Sequence, residues 1–135
     1  MQTNTDNCIL AEAADLVAQW RRAASRCFDG DPDLAGRLSL RRERLFDDLR
    51  TRLASAEGLT ERCSLISAMF AVTLDAASVP DPDRERTCRT LAQSILATPE
   101  CTALLDASAP SDDPRTAAVR RLAEDLEWPG GTAQI

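Results

Sequence analysis

Residues 60–78 read TERCSLISAMFAVTLDAAS, and this stretch decides the fold. Its apolar residues recur every three or four positions, which is the period of an α-helix and not the alternation of a strand. One apolar row consists of Cys63, Ile66, Phe70 and Leu74, and three further residues widen it, Leu65, Met69 and Val72. We therefore predict a helix over 60–78 with Thr60 as its N-cap, and we expect it to be the most buried helix of the chain.

The same period continues upstream in a longer segment, 6–27, where apolar residues repeat every seven positions. Two adjacent rows share one face, Leu10, Val17 and Ala24 in one and Ala13, Trp20 and Cys27 in the other. Such spacing is typical of a helix that packs along another helix. We expect the tripeptide Phe28-Asp29-Gly30 to end this first helix.

A second long helix is predicted over 31–56. Asp31 can accept hydrogen bonds from the free amides of its first turn, and Pro32 has the backbone angle that this turn requires. Its apolar face consists of five leucines and one aromatic residue, Leu34, Leu38, Leu45, Leu49, Leu53 and Phe46. We expect Gly58 to end this helix in the left-handed conformation.

Downstream, similar signals start three shorter helices. Pro80 is expected to end the third helix, and the pairs Asp81-Pro82, Thr98-Pro99 and Asp113-Pro114 open the next three. Their apolar positions are Cys88, Leu91, Ile95 and Leu96, then Cys101, Leu104 and Leu105, and then Val119, Leu122 and Leu126. Each set has the spacing of one helix face.

Together these elements predict an all-α fold. We expect a compact bundle of five or six helices, the first three of them long, with short connections capped by Asp-Pro. The chain of 135 residues has the size of one domain. We assign that domain to residues 1–128 and expect residues 129–135 to form a flexible C-terminal tail.

The composition excludes several kinds of chemistry. All 16 basic residues are arginine, and the chain has no lysine, histidine or tyrosine. Without histidine there is no serine–histidine–aspartate triad and no imidazole metal ligand. Without lysine there is no Schiff base and no Walker A phosphate loop. We therefore predict a protein that is not an enzyme and that needs neither a cofactor nor a metal.

One acidic stretch resembles a calcium loop only in part. The alternation of Asp29, Asp31 and Asp33 matches the first ligands of an EF-hand, but the match then fails. Leu34 stands where the loop needs glycine, and Leu40 stands where a bidentate glutamate should close the site. A turn that caps the second helix is the favoured interpretation.

Charge and hydropathy favour a cytoplasmic protein. The net charge of −6 disfavours binding to nucleic acid and to anionic membrane surfaces. Residues 1–6 are polar and lack the basic and apolar regions of a signal peptide, and the longest uncharged stretch, 63–74, is too short to cross a bilayer. We attribute the bias towards arginine and alanine to a GC-rich bacterial genome.

The chain has five cysteines, an odd number without the spacing of a zinc knuckle. Because no export signal is present, a disulfide framework is disfavoured, and we expect the cysteines to be small buried hydrophobic residues. Cys88 carries the alternative, since Arg84, Arg86 and Arg89 surround it in sequence and guanidinium groups can stabilise a thiolate. A redox sensor that works through Cys88 is therefore one alternative function.

A second alternative depends on the arginine-rich second helix. Arg37, Arg41 and Arg44 share one side of it, and guanidinium groups bind carboxylates and phosphates well. The helix would then bind an anionic ligand or nucleic acid. Acidic residues interleave with these arginines, however, and intrahelical pairs such as Arg44 with Asp48 are expected to absorb much of the charge.

The long apolar rows of the first two helices favour a third function. A bundle of this length can bury such rows internally or against another chain, and the sequence favours neither. We predict a homodimeric regulator that binds another protein through a helical face and covers a surface that its target needs, as anti-activators, secretion chaperones and immunity proteins do. The predicted contact residues are Trp20, Phe28, Leu38, Arg41, Leu45 and Phe46.

Overall fold

The computed structural model describes residues 2–76, 81–106 and 112–126. Within these ranges the chain forms six α-helices and no strand, which confirms the predicted all-α bundle. The helices are α1 (Gln2–Ser25), α2 (Pro32–Ser55), α3 (Leu59–Leu74), α4 (Pro82–Leu96), α5 (Pro99–Leu105) and α6 (Pro114–Leu126). The expected tail, 129–135, and the expected helix terminator Pro80 lie outside the described residues.

Most helix starts follow the capping chemistry of the sequence. Asp31 Oδ1 accepts a hydrogen bond from the backbone N–H of Asp33 at 2.9 Å, and Asp81 Oδ1 accepts one from the backbone N–H of Arg84 at 3.2 Å. Thr98 caps α5 with its hydroxyl oxygen. In all three helices a proline occupies the first turn, where its missing N–H costs no hydrogen bond.

The connection between α2 and α3 differs from the prediction. Because α3 begins at Leu59, Thr60 lies inside its first turn and does not cap it. Gly58 is the N-cap, with φ −78° and ψ 145°, so it is not left-handed. Ala56 is extended as well, with φ −74° and ψ 139°. The link at 56–58 is thus an extended crossing, too short to hold both a left-handed helix end and a separate side-chain cap.

The turn between α1 and α2 lies at the predicted break and has a left-handed backbone. α1 ends at Ser25, and a 3₁₀ turn follows at Cys27–Gly30. Cys27 and Phe28 have φ values of 52° and 58°, a region that is disfavoured for residues with a side chain. The Phe28 ring packs edge-to-face on Trp20, with 5.2 Å between ring centroids, and this contact helps to hold the turn.

Helix α3 is the centre of the bundle, as the sequence predicts. It packs against α1, α2, α4 and α6, and its buried side chains lie on more than one side of its axis. The buried residues are Cys63, Leu65, Ile66, Met69, Phe70, Val72 and Thr73. Leu74 belongs to the predicted apolar row but lies in the last turn and is 47% exposed.

The core face of α1 has the period of a single packed helix and not a strict seven-residue repeat. Its buried residues are Ala13, Leu16, Val17, Trp20 and Ala23. Leu16 is fully buried although it belongs to neither predicted row, whereas Ala24 and Cys27, which end those rows, are exposed. An untwisted α-helix drifts away from a seven-residue repeat, so the row moves off the core at its C-terminal end.

The neighbours of α3 are arranged in two pairs. α1 packs against α2, and α4 packs against α6. Within the described residues, however, no Cα atom of α1 lies within 8 Å of α6, and none of α2 lies within 8 Å of α4. The surface of α3 is therefore open between α1 and α6. α2 and α4 do meet through side chains, since the Arg84 guanidinium lies 3.6 Å from Glu43 Oε1 and 5.5 Å from the centre of the Phe46 ring. The second opening lies beyond this contact, between the C-terminal halves of α2 and α4.

Candidate functional site: two grooves beside the central helix

The first opening is a groove of about 460 Å³, which we call the α1–α6 groove. Small side chains from three helices line most of it. They include Ala14 and Ala18 of α1, Ser67, Ala68 and Ala71 of α3, and Ala118 of α6. Because these side chains are short, a backbone or a helix placed in the groove can approach the axis of α3 closely.

Charged residues of both signs stand at the edge of the α1–α6 groove. Arg21 and Asp75 form an ion pair of 3.6 Å between exposed side chains, and Arg121 is exposed with no carboxylate of the described residues within 4 Å. Exposed pairs of this kind are weak because water competes for both charges. The edge can therefore exchange its internal pair for charges on a bound molecule.

Asp125 stands on α6, close to Arg121. Burial raises the pKa of its carboxyl, while Ser67 and the Arg121 guanidinium oppose that rise. Ser67 Oγ is itself buried and forms no hydrogen bond of acceptable geometry within the described chain. This side of α6 thus holds a carboxylate at the expense of stability.

The second opening is a cleft of about 360 Å³, which we call the α2–α4 cleft. Its apolar lining consists of four branched aliphatic side chains and two alanines: Leu53 and Ala54 from α2, Ala56 after it, Ile66 from α3, and Leu91 and Ile95 from α4. Two arginines complete the walls: Arg50 on α2 and Arg62 on α3. No carboxylate belongs to the described residues that line it.

The structure places most of the predicted contact residues inside the bundle. Trp20, Leu38, Leu45 and Phe46 are all at most 7% exposed, and Phe28 is half-buried against Trp20. The apolar faces of α1 and α2 therefore form one internal core in this chain. Their role as contact residues stays a prediction, and it requires that α1 and α2 separate.

Arg41, the remaining predicted contact residue, is partly exposed and joins the first two helices. Its guanidinium donates hydrogen bonds to Gln19 Oε1 at 2.7 Å and to Asp15 Oδ2 at 3.3 Å. Arg44 and Asp48, in contrast, form no ion pair in the described chain, so the expectation of intrahelical pairing at these positions is wrong. Partners on α1 compete better for Arg41 because packing fixes their position.

Cys88 has the surroundings of a structural thiol. It is fully buried, and burial raises its pKa to about 11. Its Sγ lies 3.8 Å from Thr73 Oγ1. A reactive thiol needs a low pKa and access to solvent. Cys88 has neither, although three arginines lie near it in sequence.

The other cysteines divide into two groups. Cys63 and Cys101 are buried, as expected, whereas Cys8 and Cys27 are exposed, which corrects the prediction for those two. Burial and the nearby Cys101 thiol raise the pKa of Cys63 to about 12. No described Cα of α3 lies within 8 Å of α5, and a disulfide requires Cα atoms about 4.4–6.8 Å apart. Cys63 and Cys101 therefore cannot form a disulfide without movement of the backbone.

Neither opening is predicted from the sequence. Their only signals are Ala14 and Ala18, four residues apart on α1, and the two arginines Arg50 and Arg62 beside apolar rows. In a sequence, alanine indicates only a helix and arginine only a position exposed to solvent. Where neighbouring helices diverge across α3 is a property of the tertiary structure.

The described part of the chain offers no group of three or more cysteine, aspartate or glutamate side chains that could hold a metal ion. None of its helices is long and apolar enough to cross a membrane. Comparison with known protein families, with characterised proteins and with solved structures gives no match.

Proposed function

We propose that this protein is a non-enzymatic cytoplasmic regulator that binds a helix of a partner protein in the α1–α6 groove. The bound helix lies along α3 and is covered on either side by α1 and α6. A partner held in this way loses the use of that helix for its own dimerisation, nucleic-acid binding or catalysis. The proposed mechanism is thus occlusion of a surface that the target needs.

The observation that carries the proposal is the open line between α1 and α6 over a bed of small side chains. Helices that bind in grooves place apolar side chains three and four residues apart into such a surface. The alanines at positions 14, 18, 68 and 71 leave room for those side chains. The mixed charges at the edge, Arg21, Asp75 and Arg121, suit a partner helix with charges on its flanks.

The test compares two matched double variants in the capture of partners from an extract of the native cell. Ala14→Arg with Ala18→Arg places two large cations in the groove. Ala11→Arg with Ala24→Arg adds the same charge to the same helix outside it. All four alanines are exposed, so neither variant disturbs the core.

We expect one stoichiometric protein that the wild type and the outer variant retain and that the groove variant loses. Adding the wild-type chain to this purified protein should then inhibit its activity, and adding the groove variant should not. Retention by the groove variant would contradict the proposal, and so would a partner whose activity is unchanged by binding.

Homodimer formation is a separate part of the proposal. Leu40 on α2 is 58% exposed, between the exposed Arg37 and Arg44 one turn away on either side, and it supports a contact on the outer face of α2. We expect sedimentation velocity to give a dimer for the wild type and a monomer for Leu40→Asp. A monomeric wild type at cellular concentration would remove dimerisation from the proposal and leave the groove unaffected.

A further inference from the structure

The α2–α4 cleft differs from the α1–α6 groove in its chemistry, and it points to a different ligand. We propose that it is a binding site for a monocarboxylate with an apolar chain of medium length. The carboxylate is held by the guanidinium groups of Arg50 and Arg62, and the chain lies on the aliphatic lining. This inference does not depend on the partner helix proposed for the other groove.

The charge of the cleft is the first reason. The whole chain has a net charge of −6, so its overall field repels anions. Elsewhere, some arginines, such as Arg37 and Arg89, pair with nearby carboxylates, while others, such as Arg121, stand singly at the surface; the cleft brings two arginines to one apolar lining. Neither Arg50 nor Arg62 has an ion-pair or hydrogen-bond partner for its side chain within the described ranges. The cleft is thus a local site of unpaired positive charge on an acidic protein.

The geometry of guanidinium groups makes carboxylate the matching anion. The planar fork of arginine forms two parallel hydrogen bonds with a carboxylate, and such charge-assisted bonds are stronger than neutral ones. Apolar contacts next to the fork exclude water and strengthen the pair. A ligand that is only an anion would leave the aliphatic lining exposed, so the ligand carries an apolar chain.

The lining and the size give the length of that chain. Ile66 and Ile95 are buried at the base of the cleft, with Leu53 and Leu91 partly exposed above them. The cleft volume of about 360 Å³ falls in the usual range of small-ligand sites. Taking about 30 Å³ for each water-sized group, it holds about a dozen heavy atoms. A saturated carboxylate of about ten carbons has that size.

The test uses decanoate as the probe, in isothermal titration calorimetry below its critical micelle concentration. Decanol and decyltrimethylammonium serve as neutral and cationic probes with the same chain. We expect one decanoate per chain, weaker binding of decanol and no binding of decyltrimethylammonium. Equal affinity for decanoate and decanol would overturn the role of the arginines, and no decanoate binding would overturn the site.

Matched variants locate the binding. Arg50→Gln with Arg62→Gln should weaken decanoate binding at least about tenfold, because each removes a charged hydrogen-bond donor. Arg44→Gln on the same helix and Arg121→Gln at the other groove should leave the affinity within about twofold, since neither residue lines the cleft. An unchanged double variant would overturn the proposal.

A further variant tests the cleft by shape and not by charge. Ser94 lines the cleft and is exposed, so Ser94→Trp fills it without disturbing the core. We expect this variant to lose decanoate binding and to keep its circular dichroism spectrum. The variant that blocks the α1–α6 groove, Ala14→Arg with Ala18→Arg, should bind decanoate normally, which separates a failure of this site from a failure of the partner groove.

Discussion

The two openings beside α3 share one helix and differ in what they expose. The α1–α6 groove is lined mainly by alanine and serine, with charges of both signs at its edge, whereas four branched aliphatic side chains line the α2–α4 cleft beside two alanines, a serine and two arginines. The cause lies in the two sides of α3, since Ala68 and Ala71 face the groove and Ile66 faces the cleft. A single central helix can thus offer a close-approach surface on one side and a ligand-sized apolar surface on the other.

The largest expected effect comes from truncating one α3 side chain at the base of each opening, Ile66 in the cleft and Ala71 in the groove. Ile66 is 2% exposed, so Ile66→Ala leaves a cavity and should lower the free energy of unfolding by about 2–5 kcal/mol. Ala71→Gly in the α1–α6 groove removes one methyl group and some helix propensity, and should cost about 1 kcal/mol. Urea denaturation measures both values. Equal losses would mean that Ile66 and Ala71 contribute equally to the stability of the fold. The two openings would then differ only in the side chains that they expose.

The next largest effect is expected for the cysteines, because the rate at which each thiol reacts reports its accessibility to solvent. At pH 8 the pKa of Cys88, about 11, leaves about one thousandth of it as thiolate. We expect Cys8 and Cys27 to react rapidly with Ellman's reagent, since both are exposed. Cys63, Cys88 and Cys101 should react at least about 100-fold more slowly until the protein unfolds. Rapid labelling of Cys88 in the folded protein would restore the redox-sensor hypothesis.

Substitution of Arg41 tests the contact between α2, which lines the cleft, and α1, which lines the groove. It links α2 to Gln19 and Asp15 of α1, and its side chain is 36% exposed. Arg41→Ala should lower the free energy of unfolding by about 1 kcal/mol, because it removes two hydrogen bonds between helices. Arg44→Ala is the matched control and should change it by less than about 0.5 kcal/mol. If both variants behave alike, the link between the helices contributes nothing measurable.

The smallest effect concerns Asp125 on the α6 wall, and it depends on pH. Burial raises the pKa of this carboxyl above its usual 3.8, so between the two values the folded protein binds more protons than the unfolded chain. The folded state therefore loses stability as pH rises through that window, and the loss is complete above the folded-state pKa. Asp125→Asn removes this cost.

We expect Asp125→Asn to be more stable than the wild type at pH 7, with an advantage that shrinks as pH falls towards 3.8. Thermal unfolding at several pH values measures it. A pH-independent difference would assign the effect of Asp125 to packing and not to its charge.

Local chemistry explains what could be predicted from the sequence. An aspartate followed by proline can cap a helix wherever it stands, so the starts of α2 and α4 lie where Asp31 and Asp81 predict them. The apolar period of α3 likewise predicts that it is the central helix, because a row too wide for one neighbour must face several. These features depend on residues a few positions apart and need no knowledge of the fold.

The errors arise where two local signals compete or where distant residues decide. Gly58 can end a helix or begin one, and the short crossing at 56–58 makes it the N-cap of α3. Trp20 and Phe46 have the pattern of an interface and of a core alike, and only the packing of α1 on α2 buries them. Cys88 is buried, as expected for the cysteines, and only its alternative role as a reactive thiol finds no support in its surroundings.

By itself, the sequence determined that this chain is a helical bundle, where most of its helices begin, and that histidine and lysine chemistry is excluded. Only the tertiary structure decided where neighbouring helices diverge across α3, and therefore where Ala18, Arg50 and Arg62 become the linings of a groove and a cleft. The physical reason is range. Capping and periodicity act over one or two turns, whereas an opening is the space left where helices that pack on a common neighbour diverge from each other.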